Sequence, residues 1–168
     1  MPFSNEEILG FATSVVGEEG ILHSSEPDGI LTLEVKPSQL IDLVGKLKNH
    51  PEYQFTFMTD LCGLHLPEQK GKEIGVVYLF HSLTSNTRIR IKTFAPIENP
   101  VIPTMVTHFN SANWMERETY DFYGVQFEGH PNLIRILNVD DMDYFPMRKE
   151  YPLEDQTRRD KVDEFFGR

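Results

Sequence analysis

Between residues 116 and 130 the chain gathers the side chains that acid–base chemistry uses: Glu116, Glu118 and Asp121, followed by His130. Paired carboxylates, or a carboxylate beside an imidazole, can pass a proton to and from a substrate, as in a small hydrolase. On a helix advancing ~100° per residue, however, Glu116 points away from Glu118, so the two are not a facing pair. His130 is a candidate metal ligand or proton shuttle. No second His or Cys stands at ligand spacing, and its place before Pro131 suits a fixed turn residue. An independent acid–base enzyme working through Glu118 and His130 would need one concave pocket holding both.

The other chemistry-bearing residues are sparse. Cys62 is the one cysteine, so the chain offers no disulfide framework, no Cys-rich zinc site and no conventional iron–sulfur cluster. With Leu61, Gly63 and Leu64 around it, Cys62 is expected as a small buried hydrophobe. Asp140-Asp141-Met142-Asp143 is acidic enough to suggest calcium, yet lacks the glycine and distal glutamate of an EF-hand loop. It reads as a solvated turn or a partner contact. Gly63, Gly71 and Gly75 make no phosphate-binding pattern, so nucleotide binding by this chain is unsupported. The formal charge of −10, from 26 acidic and 16 basic residues, disfavours nucleic acid and anionic lipid as direct partners. Arg88, Arg90 and Lys92 alternate, as on the solvated face of a half-buried strand.

The carboxylates need a helix. Ser111 can cap one running from Ala112 to Tyr123, with Gly124 as its left-handed stop. On that helix Trp114, Met115, Thr119 and Phe122 are expected to share an apolar face with Glu118 in its middle. A carboxylate there is costly unless paired, and Arg135 or Arg148 is the expected partner. Arg117 lies one turn before Asp121, at the spacing of a surface ion pair.

The elements before this helix are legible from patterning. Ser4-Asn5-Glu6-Glu7 is a capping box, and Ile8, Phe11, Ala12 and Val15 follow at helical spacing. Glu26-Pro27-Asp28-Gly29 is turn chemistry, and Ile30 to Val35 reads as a strand. Pro37-Ser38 opens a second helix with a Leu40, Leu43, Val44, Leu47 stripe, ended by Asn49-His50-Pro51. Strands are expected at Phe55 to Leu61, Ile74 to Ser82 and Arg88 to Phe94, the last two joined by a hairpin loop, with Leu66 to Lys72 a surface loop. This order predicts an α+β fold with helices on one face of a mostly antiparallel sheet. Three regions follow: an α+β domain over 1–95, a linker with the carboxylate helix over 96–124, and an extended tail over 125–168. Pro96, Pro100 and Pro103 are expected to break regular structure in the linker. The tail is irregular but carries Tyr144, Phe145, Met147, Tyr151, Leu153, Phe165 and Phe166, so it is expected to wrap on a partner. Its end mixes charges, with Arg158, Arg159 and Lys161 among acids. No apolar run reaches the ~18–20 residues of a membrane span, and the first residues lack a secretory pattern, which predicts a cytoplasmic protein.

Glu116-Arg117-Glu118-Thr119-Tyr120-Asp121-Phe122-Tyr123-Gly124-Val125, then Phe127-Glu128-Gly129-His130-Pro131-Asn132-Leu133, closely resembles the signature of the 30-kDa subunit family of respiratory complex I. The resemblance continues through Arg135-Ile136-Leu137 and Pro146-Met147-Arg148-Lys149-Glu150-Tyr151-Pro152-Leu153, and covers about Pro103 to Leu153. Where the family has two adjacent basic residues after its His-Pro-x-Leu stretch, this chain has Ile134 and Arg135. With the sequence stopping at Arg168, the resemblance leads to the expectation of the short, stand-alone form of the family rather than a fusion to the large neighbouring subunit.

The resemblance implies a peripheral-arm subunit of NADH:quinone oxidoreductase on the cytoplasmic face of the bacterial inner membrane. It implies that the chain itself holds no cofactor, with FMN, iron–sulfur clusters and quinone in partner subunits. The implied partners are the large quinone-site subunit (D type), the iron–sulfur subunit (I type) and the B-type subunit. The isolated chain is then not expected to be catalytic. Glu116, Arg117, Glu118, Asp121, His130, Arg135, Arg148, Lys149 and Tyr151 become candidate structural or interfacial residues, and Tyr120, Tyr123 and Tyr151 offer amphipathic contact area. The equivalent subunit of a membrane-bound hydrogenase or another quinone-linked dehydrogenase complex is the related alternative.

Overall fold

A computed structural model describes residues 3–152. The first helix, α1 (Asn5–Val16), starts as its sequence requires. The Ser4 hydroxyl accepts the Glu7 N–H at 3.2 Å, and the Glu7 carboxylate accepts the Ser4 N–H at 2.8 Å. That backbone bond, with a second from the Ser4 hydroxyl, lowers the Glu7 pKa below its ordinary value. In α2 (Pro37–Asn49), Pro37 occupies the first turn, where its missing N–H costs nothing, and Leu40, Leu43, Val44 and Leu47 are buried as one stripe.

Five strands form one sheet in the order β1-β2-β5-β4-β3, with β1 Ile21–Ser25, β2 Leu31–Val35, β3 Phe57–His65, β4 Ile74–Ser82 and β5 Thr87–Ala95. β2 and β5 run parallel and the other pairings are antiparallel. The helix α2 therefore leads from the β2 side of the sheet to its far edge at β3. The register aligns Met58, Phe80, Ile89 and Leu31 in one row, and Leu61, Tyr78, Ile91 and Leu33 in the next. All eight are buried, and α1 and α2 close over them. Arg88, Arg90 and Lys92 alternate with buried Ile89, Ile91 and Thr93, and so stand on the opposite, wetter face.

β1 was not expected. It is an edge strand with mostly exposed side chains, so it carries no apolar alternation for a sequence reading to detect. β3 begins two residues later than expected and runs on to His65, with an irregularity between Met58 and Asp60 that re-aims its side chains. The proline-rich linker also holds a strand. β6 (Val101–Pro103) pairs in parallel with β7 (Gln126–Glu128) in a separate two-stranded sheet, where Pro103 sits at the strand end. The chain between β6 and the next helix folds over α2. Phe109 packs tilted against Phe80 at 5.4 Å, and the His108 ring fills the space above Gly45. No described helix is long and apolar enough to cross a membrane.

Candidate functional site: the signature helix and the arm folded on it

The carboxylates lie on α3 (Ala112–Tyr123). Gly124 stops it at φ 78°, with its N–H on the Tyr120 carbonyl at 2.8 Å. Ser111 precedes it in a helical conformation and makes no side-chain cap, contrary to expectation. The buried stripe is Ala112, Glu116 and Thr119, continued by half-buried Tyr123, spaced four, three and four. Thr119 and Tyr123 rest directly on β3, because Gly63 leaves the room. A Cβ there would stand 2.4 Å from Tyr123 Cδ2.

This stripe corrects the expected one. Trp114 is 58% exposed and Glu118 is exposed, so Glu118 needs no ion pair and neither Arg135 nor Arg148 reaches it. The buried carboxylates are Glu116 and Asp121. Large aromatic residues suggested the wrong face, whereas the small residues Ala112 and Thr119 mark the side that approaches the sheet.

Glu116 joins three parts of the chain. Its Oε2 accepts the Thr104 hydroxyl at 2.6 Å, its Oε1 accepts the Met105 N–H at 2.5 Å, and His130 Nε2 stands 3.9 Å away. Burial outweighs these bonds and pushes the Glu116 pKa up to about 7. The His130 side chain is fully enclosed, as is that of Glu116. Its Nδ1 accepts the Asn132 N–H at 3.0 Å, which leaves the proton on Nε2 to bond the Asn113 carbonyl at 3.1 Å. His130 is thus the fixed turn residue its sequence suggested.

Asp121 anchors the segment after β7. Its Oδ2 accepts the N–H groups of Ile136, Leu137 and Asn138 at 3.1, 2.8 and 2.9 Å. Its Oδ1 meets the Arg135 guanidinium at 2.7 Å and the Asn138 side-chain amide at 3.0 Å. Burial alone would raise its pKa. The Asn138 N–H, the Arg135 guanidinium and the remaining donors overcome this and hold the carboxyl well below the usual range. Arg135 also donates to the Met142 and Tyr144 carbonyls, which curls the chain around its guanidinium. The expected Arg117–Asp121 pair is absent. Arg117 donates instead to the Ile134 and Arg135 carbonyls at 3.1 and 2.9 Å.

Further on, Arg148 donates to the Tyr123 carbonyl at 2.8 Å and covers the Phe145 ring at 4.7 Å. Phe145 packs over Gly124 and edge-on to Tyr120. The Lys149 N–H reaches buried His65 Nδ1 at 2.9 Å while its side chain stays exposed, and Glu150 lies 3.5 Å from the same nitrogen. Tyr151 is exposed and rests against Tyr144, with ring centroids 4.9 Å apart. The tail up to residue 152 is therefore an arm folded back on α3 and β3. Leu153, Arg158, Arg159, Lys161, Phe165 and Phe166 lie outside the described residues. Thr104, His65, Asn138 and Phe145 escaped the sequence reading as members of this network, since their partnerships are long-range and follow no spacing.

Two further expectations meet the geometry here. Cys62 is exposed rather than buried, on the β3 edge, and lines a cleft of about 380 Å³ with Glu118, Phe122 and Met147. Partial desolvation, then the Asp60 charge, raise its thiol pKa, which keeps it in the less reactive protonated form. Glu118 opens onto that cleft while His130 is enclosed elsewhere, so the two do not form an acid–base pair. Among the described residues no group of three His, Cys, Asp or Glu side chains is placed to hold a metal ion.

Comparison with known proteins agrees with this architecture. The model of the family described as respiratory-chain NADH dehydrogenase, 30 Kd subunit, matches residues 33–157, a span that holds most of the sheet, α3 and the arm. The C-type subunit of NADH-quinone oxidoreductase from Streptomyces coelicolor is 36% identical over 154 residues, which cover 88% of this chain and 61% of that protein. The chain thus spans about three fifths of the length of that relative. Among solved structures, the trypsin-resistant fragment (1-134) of Nqo5 is similar with a TM-score of 0.63 at 27% identity, covering 78% of this chain and all of the fragment. A chain of the membrane-bound sulfane sulfur reductase, an archaeal respiratory membrane complex, shares the fold with a TM-score of 0.70 at 22% identity, covering 90% of this chain and 87% of its own. With the signature helix, the strand β3 it packs on and the arm inside the matched span, the chain belongs to the 30 Kd subunit family of the respiratory-chain NADH dehydrogenase.

Proposed function

We propose that the chain is a cofactor-free, peripheral-arm subunit of a proton-translocating NADH:quinone oxidoreductase, and that its work is positional. It would bind the large quinone-site subunit and lie near the iron–sulfur and B-type subunits, on the cytoplasmic face of the membrane. FMN, iron–sulfur clusters and quinone would belong to those partners. By holding its neighbours in place it would keep a cluster and the quinone pocket within electron-transfer distance. The isolated chain would catalyse nothing.

The observation that carries this reading is the arm itself. A segment without regular secondary structure is fixed by buried ion pairing and backbone bonds to α3, yet Ile134, Leu137, Val139 and Met147 on it are exposed. Folding turns Arg135 and the backbone amides toward Asp121 and leaves these apolar side chains outside, which suits a surface that a partner covers. Family membership names the assembly in which that partner would be found.

A mild-detergent pull-down from native membranes, with the chain as bait, tests it. Mass spectrometry should find the large quinone-site subunit, and the eluate should reduce quinone with NADH in an inhibitor-sensitive way. Nickel–iron hydrogenase subunits in its place would assign the chain to a related assembly. A chain that elutes alone would refute the positional role.

A further inference from the structure

We infer that residues 134–143 form a preformed docking ridge for a basic-rimmed apolar surface on a partner subunit; this rests on the function proposed above. Ile134, Ile136, Leu137 and Val139 are 52, 37, 64 and 63% exposed, all within six residues. Single exposed apolar residues are ordinary, but a run of them on one turn of chain is not. The ridge is not loose. Asp121 ties the Ile136, Leu137 and Asn138 amides, and Arg135 ties the Met142 and Tyr144 carbonyls, so the conformation exists before any partner arrives. A surface ordered in advance loses less entropy on binding.

Charge selects the occupant. Arg135 is neutralised by Asp121, while Asp140, Asp141 and Asp143 are exposed and make no ion pair among the described residues. Beside the ridge a hollow of about 540 Å³ opens between Tyr120 and Phe145, with Asp140 and Asp143 in its lining. It has room for a lysine or arginine side chain, which the Asp140 and Asp143 carboxylates would attract, while Arg135 and Arg148 already cover the Phe145 ring. A second copy of this chain would set acid against acid, and an anionic membrane surface would be repelled likewise. The fitting partner is a protein face with an apolar hollow for Leu137 and Val139 and lysine or arginine around it.

The test uses the assembled complex. A benzophenone amino acid in place of Leu137 is photolysed in the purified complex, and the adduct is mapped by mass spectrometry. Separately, Leu137→Ser with Val139→Ser, and Asp140→Lys with Asp141→Lys and Asp143→Lys, are compared with wild type for retention in the complex over a salt series. The expected adduct lies on one partner subunit, in a peptide carrying lysine or arginine. Both variants should be retained at least tenfold less, with the thermal midpoint of the free chain unchanged because the replaced side chains face solvent. An adduct on a second copy or on this chain's own 153–168 segment would overturn the inference, and so would variants retained like wild type. If wild type itself recovers no oxidoreductase subunit, the underlying function fails as well; if only the variants behave like wild type, the ridge alone is wrong.

Discussion

Glu116 stands 3.9 Å from His130 with both side chains fully enclosed, and burial makes the glutamate hold its proton more tightly. Its pKa is raised to about 7 by burial, against an ordinary 4.5. Between those values the folded chain holds a proton that the unfolded chain has released, so stability falls as pH rises through this window. At ~1.36 kcal/mol per unit the loss amounts to roughly 3 kcal/mol by pH 8. Glu116→Gln mimics the protonated form and keeps an acceptor for Met105. Chemical denaturation of both proteins from pH 4.5 to 8 should show the wild type losing ground to the variant across the series. A constant difference would mean that Glu116 titrates like an exposed glutamate.

Tyr78 presents a different cost in the same core. It is fully buried beneath the helices, and its hydroxyl meets no protein hydrogen-bond partner among the described residues. A buried unpaired donor costs ~1–3 kcal/mol, and removing it together with its oxygen recovers part of that. Tyr78→Phe should therefore unfold at a temperature equal to or a few degrees above wild type. A clear fall in the midpoint would show that the hydroxyl is bonded after all.

The contact of α3 with β3 depends on the missing side chain of Gly63. A methyl group there would meet Tyr123 at 2.4 Å and Thr119 Cγ2 at 3.0 Å. Overpacking of this kind costs ~1–3 kcal/mol. Gly63→Ala should lower stability by that amount, and Tyr123→Leu in the same chain should return part of it. A double-mutant cycle with no coupling would place the strain elsewhere.

Asp121→Ala should be the most damaging single change on α3, since it strands Arg135 and three backbone amides at once. Removing one member of a buried pair costs ~3–5 kcal/mol. Its pH dependence has the opposite sign to that of Glu116. The folded carboxyl is more acidic than usual, so its contribution is complete above the ordinary aspartate range and is lost as pH falls below it. Acid unfolding followed by circular dichroism should find wild type and variant converging at low pH. Persistence of the full gap at pH 2 would contradict the assignment.

How far these features could be read from residues alone depends on what positions each one. α1, α2 and β5 were legible because each buries one face against a common core, which writes a period into the sequence, and β4, buried almost throughout, was legible as an apolar run. β1 and the β6–β7 pair were not, since exposed edges and three-residue strands leave no period. The carboxylate helix was found within its bounds, yet its buried face was misjudged. Trp114 and Phe122 attracted the reading, and nothing local says that Glu116 would be received by Thr104 and Met105 from the linker. The arm was hardest. Its shape is set by a carboxylate binding backbone N–H groups, and every residue except proline supplies one.

That last arrangement ties the motions of two segments distant in sequence. The amides of Ile136, Leu137 and Asn138 belong to no helix or strand, and such amides ordinarily trade hydrogen with water quickly. Here they end on Asp121, in the last turn of α3, so they are released only when the carboxylate lets go. Residues 134–144 thereby inherit the opening free energy of a helix terminus, and a stretch that looks like loop exchanges its hydrogens on the schedule of the helix beneath it.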